Sequence, residues 1–202
     1  MDELQRQILA YSNDDEAKKL LARAKILLLV GPTGSGKNTL EGELLKTGQF
    51  KSIVTHTTRL PRANHGVLEK DGEEYHYVSE DKALEMLKDH KFIEAALIHG
   101  HLYGTSMSEF ETARNESKIA VADIDIKGVR AYRRLSDNVT AVFLLPPSFE
   151  TLINRLVDRY GKTRNQDDIK IRLATALDEL YELLSADYYF VIINHRIEDT
   201  TK

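Results

Sequence analysis

The chain has 202 residues, 42% hydrophobic and 30% charged, the usage of an ordinary globular protein built as one large domain with inserted pieces or at most two small ones. A formal net charge of -4 argues against a general nucleic-acid surface, so no nucleic-acid partner is expected and basic clusters need local explanations. The absence of cysteine excludes disulfide and thiolate chemistry, and no apolar run approaches the length of a membrane span, so no membrane partner is expected either.

The first residues, Met1 to Arg6, carry early acids and no apolar signal core, which makes the cytoplasm the default location. Residues 1 to 24 read as helical. Leu4, Ile8 and Leu9 form one apolar stripe, and Ala17, Leu20, Leu21 and Ala24 another, with Asn13-Asp14-Asp15 as a helix start between them. A packing arm, a weakly held tail and a partner-binding segment are the three readings open for this stretch.

Ile26 to Val30 is apolar throughout, as a strand buried on both faces should be. Next comes Gly31-Pro32-Thr33-Gly34-Ser35-Gly36-Lys37-Asn38-Thr39, which fits the frame Gly, four residues, Gly-Lys, and then a run with helical spacing from Thr39 to Leu45. A glycine loop between strand and helix cradles phosphates. Its backbone N–H groups turn inward, the helix N-terminus adds positive potential, and Lys37 supplies a full charge. The loop therefore predicts a nucleoside triphosphate. Asn38 stands where a Ser or Thr usually offers its hydroxyl to magnesium. Thr39 one position later, the Asn38 side-chain carbonyl and a water are the alternatives for that contact.

Further apolar runs at 53–54, 119–122, 139–145 and 189–193 predict strands, and the spacing predicts helices over 127–135, 148–160 and 167–185. Strands alternating with helices imply an α/β fold with a mainly parallel sheet and helices on both faces. The stretch from His56 to Met107 breaks this rhythm. It is polar and glycine-punctuated, with one helix-like run from Ser79 to His90, and reads as a smaller inserted unit with short strands of its own. Gly161 to Gln166 is a second interruption, polar and basic.

Several clusters carry chemistry. Thr55 to Arg62 places Arg59 and Arg62 three residues apart, and arginine's planar fork suits phosphate, though a solvated basic turn is the plainer reading. Glu94 is an acid inside the apolar run Phe92 to Ala96, and Tyr103-Gly104-Thr105 follows the Gly100 turn. Asp123 ends a predicted strand, where parallel sheets bind ligands, and is placed to orient magnesium directly or through water. Asp125 points to the same side by alternation, or else caps the next helix. Arg155 and Arg159 share a helix face, and with Arg172 they flank the second interruption. An anion between them or simple solvation both fit. None of the seven histidines has convincing metal spacing, and His99-Gly100-His101 reads as an exposed turn.

Together these pieces resemble the guanylate kinases, ATP-dependent kinases of GMP, from about Lys25 to Asn194. The residues that carry the resemblance are the phosphate loop, Thr55 to Arg62, Phe92-Ile93-Glu94, Tyr103-Gly104-Thr105, Asp123 to Gly128 and Leu145 to Ser148. The resemblance implies a P-loop NTPase three-layer fold. Its parts would be an N-terminal helical extension (1–24), a core (25–55, 107–158 and 171–202), a GMP-binding insert (56–106) and a mobile lid (159–170). It implies that residues 31–39 (Gly31, Pro32, Thr33, Gly34, Ser35, Gly36, Lys37, Asn38 and Thr39) bind ATP, with Asn194 by the adenine. Arg59, Arg62, Tyr75 and Tyr103 would grip the GMP phosphate. Thr55, Glu94, Thr105 and Asp125 would surround the guanine, with Glu69 nearby. Lys37, Arg155, Arg159, Arg172 and Asp123 would be catalytic, with Mg²⁺ carried on ATP and met by Thr39 and Asp123.

The chemistry of the base agrees with this. Guanine shows N1–H and N2–H₂ donors beside an O6 acceptor, so its pocket needs carboxylates and a hydroxyl. Glu94, Asp125 and Thr55 are residues of those types, and adenine's opposite pattern would leave buried acids unpaired. Two alternatives are a non-catalytic module of the same shape that docks a phosphopeptide, and a kinase for another small phosphorylated acceptor. Monomer and homodimer are both compatible with the sequence. The pattern departs from the family at Ala63 to Leu68, which is longer than the usual turn, and at Asp158 to Lys162, which replaces a tighter Arg-Gly turn. It departs again at His195 and Arg196, which stand where acids are usual. By resemblance a further helix is expected beyond Lys202.

Overall fold

Apolar sequence that cannot face water decides where the strands lie. In the computed structural model, which describes residues 2–12, 14–64, 67–98, 100–160 and 166–200, the longest apolar runs form strands of one sheet. In chain order the elements are α1 (Glu3–Ala10), α2 (Asp14–Leu21), β1 (Ile26–Val30), α3 (Lys37–Lys46), β2 (Phe50–Ser52), β3 (His56–Thr57), β4 (Ala63–Asn64), β5 (Val67–Leu68), β6 (His76–Tyr77), α4 (Glu80–Lys88), β7 (Phe92–Ile98), β8 (His101–Ser106), α5 (Met107–Asn115), β9 (Ile119–Asp123), α6 (Ile126–Leu135), β10 (Val139–Leu145), α7 (Phe149–Tyr160), α8 (Gln166–Ser185), β11 (Tyr189–Ile193) and α9 (Ile197–Thr200).

By packing the chain divides into two units. One comprises residues 26–51, 121–134 and 139–202, and the other residues 1–25, 52–120 and 135–138. The first unit is centred on a sheet of order β11-β10-β1-β9-β2. β1 runs parallel to β10 from Ile26 beside Val139 to Val30 beside Phe143, and β10 runs parallel to β11. Parallel strands need crossover connections, which the helices between them supply. Leu29, Val121, Val142 and Leu144 of the sheet pack with Leu40 of α3 in one buried cluster. Leu152 and Leu156 of α7 pack with Ala176 of α8 in another. The expected α/β sheet is the one observed.

The second unit has a four-stranded sheet of order β6-β3-β8-β7 and a two-stranded ribbon, β4 with β5. Its core joins Leu4 and Ile8 of α1 to Ala83 and Leu87 of α4, Phe92 of β7 and Leu102 of β8. Residues 2–12 therefore pack as an arm. Asp2 caps α1 by accepting from the Gln5 N–H at 2.8 Å, and Ser79 caps α4 in the same way through the Lys82 N–H. Helix α4 stops at a left-handed residue, His90 (φ 51°), whose N–H bonds Leu87 while that of Lys91 bonds Met86.

One expected strand lies elsewhere. Residues 53–54 are not in a strand, and β2 comes just before them. The Val54 N–H donates to Glu109 Oε2 at 3.1 Å rather than to a ladder, while Ile53 is buried. Asn13 at the expected helix start, His99 and residues 161–165 of the expected lid lie outside the described residues.

Candidate active site

The phosphate loop is shaped by what a Cβ would strike. Gly31 has φ 131°, and a Cβ there would sit 2.3 Å from the Leu144 carbonyl oxygen. Gly36 has φ 103°, and a Cβ there would sit 2.4 Å from Asn194 Nδ2. Both positions need glycine for conformation and for space. Helix α3 starts at Lys37 with no side-chain cap, so its first-turn N–H groups lack intrahelical partners. An N-terminus of that kind, opening directly from the loop, suits phosphate.

Around the loop stand groups contributed by the same unit. Lys37 Nζ donates to the Gly31 carbonyl at 2.6 Å and lies 3.7 Å from Asp123 Oδ1. Arg155 Nη1 reaches the Gly34 and Ser35 carbonyls at 3.2 and 3.3 Å, and Arg172 Nη1 reaches Thr33 Oγ1 at 3.4 Å. Asn194 is buried. Its Nδ2 donates to the Ser35 carbonyl and its Oδ1 accepts from Thr200, so its amide braces the loop from beneath. The Arg159 side chain lies outside the described residues.

Hard oxygen donors at this spot fit magnesium. Asp123 closes β9 with its side chain 34% exposed beside Lys37, and Asn38 and Thr39 are exposed in the first turn of α3. Mg²⁺ characteristically takes one or two such groups together with phosphate oxygens. Glu179 of α8 adds a carboxyl that sequence reading passed over. It is buried and its Oε2 has no hydrogen-bond partner among the described residues. Burial pushes its pKa up, Lys37 opposes that, and Asp123 and Asp125 add to it. The available signal was an acid three residues after buried Ala176, on the inward row of a helix.

Asp125 Oδ1 accepts from the Gly128 N–H at 2.7 Å and the Asp125 carbonyl from the Val129 N–H, so this residue is the N-cap of α6. The cap reading of this residue is the one the geometry shows, and its side chain is also exposed.

In the other unit, Arg59 is 6% exposed and fully engaged. Its Nε donates to the Tyr103 hydroxyl at 3.1 Å, and its Nη1 and Nη2 bond Glu69 at 2.8 and 3.3 Å. The rings of Tyr75 and Tyr77 lie 5.1 and 5.9 Å from its guanidinium carbon. Glu69 also accepts from the Arg62 N–H and the Tyr77 hydroxyl, each at 2.8 Å. Burial alone would raise the Glu69 pKa. Hydrogen bonds from Arg59, the Arg62 backbone and Tyr77 outweigh it and lower the value to about 2. The Arg62 side chain is exposed. Glu69 thus sits with the arginines and holds one of them in place. Tyr77 was missed by sequence reading, although Tyr75-His76-Tyr77 alternates and two alternate residues share a side.

Glu94 and Thr105 meet across β7 and β8. The Thr105 N–H and hydroxyl both donate to Glu94 Oε1, at 3.1 and 2.8 Å. On β8, Tyr103 and Thr105 are two residues apart and point to one face, about 7 Å from each other by strand rise. The arginine–tyrosine cluster and the carboxylate–hydroxyl pair are therefore neighbours on one sheet. Thr55 precedes β3, where its carbonyl accepts from the His76 N–H.

Beneath these lies a histidine pair. His56 and His76 face each other at 4.6 Å between ring centroids, and His76 Nε2 lies 3.1 Å from Glu109 Oε1. Burial, then His76, lowers the His56 pKa to about 4, against the pull of Glu109 and Asp71.

Comparison with known proteins agrees with the geometry. Residues 23–202 match the family model of guanylate kinase. The chain is 34% identical to guanylate kinase 1 of Arabidopsis thaliana over 98% of its own length and 50% of the relative's. It is 35% identical to the guanylate kinase of Schizosaccharomyces pombe, over 95% of this chain and 93% of that one. The crystal structure of guanylate kinase from Anaplasma phagocytophilum superposes with a TM-score of 0.63 at 27% identity, covering 89% of this chain and 81% of the other. The chain spans about half the length of the plant relatives that it matches. Helices α1 and α2 precede the matched region. A glycine loop under Lys37, an arginine–tyrosine cluster and a carboxylate on a second small sheet thus stand where a whole-domain match also falls, and the chain belongs to the guanylate kinase family.

Proposed function

We propose that the protein is an ATP-dependent kinase that transfers the γ-phosphoryl group of ATP to GMP or dGMP, giving ADP and GDP or dGDP. The observation that carries this reading is the neighbourhood on β8. A buried arginine–tyrosine cluster suited to a monophosphate lies one alternate residue from a carboxylate–hydroxyl pair suited to guanine. Glu94 offers acceptors to N1–H and N2–H₂, and Thr105 orients its carboxylate. Arg59 is pre-oriented by Glu69, so less freedom is lost when an anion arrives.

In the reaction a GMP phosphate oxygen attacks the γ-phosphorus of ATP, and the bond from that phosphorus to the β,γ-bridging oxygen breaks. That phosphate is already largely deprotonated at neutral pH, so no general base is required. The protein's contribution is alignment and charge neutralisation. Lys37 is placed to neutralise the triphosphate tail, with Arg155 and Arg172 braced on the loop and Arg159 assigned to the same task. Asp123 and Thr39 would hold Mg²⁺, which would supply charge neutralisation on the ATP phosphates. Asn194 supports the ATP side through the loop.

The test is product identification by ³¹P NMR with ATP, Mg²⁺ and GMP. Stoichiometric ADP and GDP are expected. ADP with free phosphate and unchanged GMP would overturn the reading.

A further inference from the structure

We propose that Tyr11, on the arm that precedes the family-matched region, is a positioning residue for the guanine pocket. Its hydroxyl holds the edge of β7 at Phe92 and so fixes where Glu94 presents its carboxylate. The inference rests on the reading of Glu94 as the guanine acceptor.

The Tyr11 hydroxyl donates to the Phe92 carbonyl at 2.7 Å and accepts from the Phe92 N–H at 3.0 Å. One side chain thus takes both main-chain groups of a residue 81 positions away. The place matters. β7 is the edge strand of its sheet, and its register against β8 shifts between Phe92, opposite Ser106, and Glu94, opposite Thr105. Ile93 is the extra residue of that bulge. An edge strand offers unpaired N–H and C=O groups, and a bulge increases local twist, so this is where β7 is most free to slip. A slip of one residue would turn Glu94 to the opposite face of the sheet, away from Thr105. A hydroxyl that locks the residue before the bulge removes that freedom.

The hydroxyl is itself well aimed. The Tyr11 ring stacks on His90 at 5.9 Å and meets Phe92 edge-on at 6.3 Å. Ile8 and Leu4, one and two helical turns earlier, are buried against α4, β7 and β8. Arm, α4 terminus and strand edge therefore converge on one hydroxyl, two residues before the Glu94 carboxylate.

Tyr11→Phe keeps the ring and removes only the oxygen. Steady-state kinetics with ATP and GMP varied separately, on the wild type, Y11F, E94Q and the double variant, test the inference. We expect Y11F to raise the GMP KM about tenfold with kcat and the ATP KM within twofold, and to lower the preference for GMP over AMP in parallel. Added to E94Q, Y11F should change the GMP KM no further. An unchanged GMP KM in Y11F beside a raised one in E94Q would overturn the inference while leaving the base pocket standing. So would a variant that loses kcat and both KM values alike. If E94Q leaves the GMP KM unchanged, the pocket reading and this inference fall together. The wild type gives a check that needs no variant. Its Phe92 amide should exchange at least tenfold more slowly than the random-coil rate before any nucleotide is added, and exchange at that rate would overturn the lock.

Discussion

Lys37 and Asp125 show how one side chain can be read at the scale of its own atoms. Lys37 bonds the loop's first carbonyl and lies near Asp123, all within one unit, whereas the arginine–tyrosine cluster belongs to the other unit. Lys37→Ala should therefore lower kcat by about 10² to 10³-fold, while calorimetry shows GMP affinity within a few-fold of the wild type. Loss of GMP affinity equal to the loss of rate would count against separate cradles. Asp125 caps α6 and is also a candidate base contact. Asparagine caps as well as aspartate, so Asp125→Asn should leave the melting temperature in place. It should still reduce the GMP-to-AMP ratio of kcat/KM by about tenfold, because a charged acceptor becomes partly a donor. An unchanged ratio would reduce Asp125 to a cap. Residue types at this scale were readable from sequence where a motif names them, as with Gly31, Gly36, Lys37 and Glu94. Glu179 and Tyr77 were not, because their importance comes from burial and partners that only the folded chain provides.

Among elements, legibility followed length and apolar continuity. β1, β10 and β11 are continuous apolar runs, and their bounds agree with the sequence pattern residue for residue. The two-residue strands β3 and β6 are polar histidine-bearing pieces whose pairing is tertiary, and no local period marks them. β2 lay just upstream of its expected position because the Val54 N–H found Glu109 instead of a strand partner. The α1 arm was readable as an amphipathic helix, while its docking on α4 and β7 was not. Since Leu4 is buried in that contact, Leu4→Ala should cost about 2 to 3 kcal/mol in urea unfolding, and a cost under 0.5 kcal/mol would make the arm dispensable for stability. β3 carries a pH signature. His56 has its folded-state pKa lowered from 6.5 to about 4, so the unfolded chain binds the proton more readily. The stability it contributes is present above pH 6.5 and is lost as pH falls from 6.5 to about 4. His56→Asn should flatten the wild-type loss of stability in that window, and an unaltered pH dependence of unfolding would contradict the burial of His56.

For the whole molecule, one physical requirement orders the parts. A nucleotide kinase must choose its acceptor by the donors and acceptors of the base, since every monophosphate presents the same phosphate. In the proposed reading Glu94, held by Thr105, would supply a selective contact of that kind, and Arg59 with its tyrosines the common one. Measuring kcat/KM for GMP and for AMP at saturating ATP and Mg²⁺ tests this most directly. The account predicts a preference for GMP of roughly 10⁴-fold, as expected where a mismatched base leaves buried polar groups unpaired. A ratio near one, or turnover with AMP alone, would contradict it.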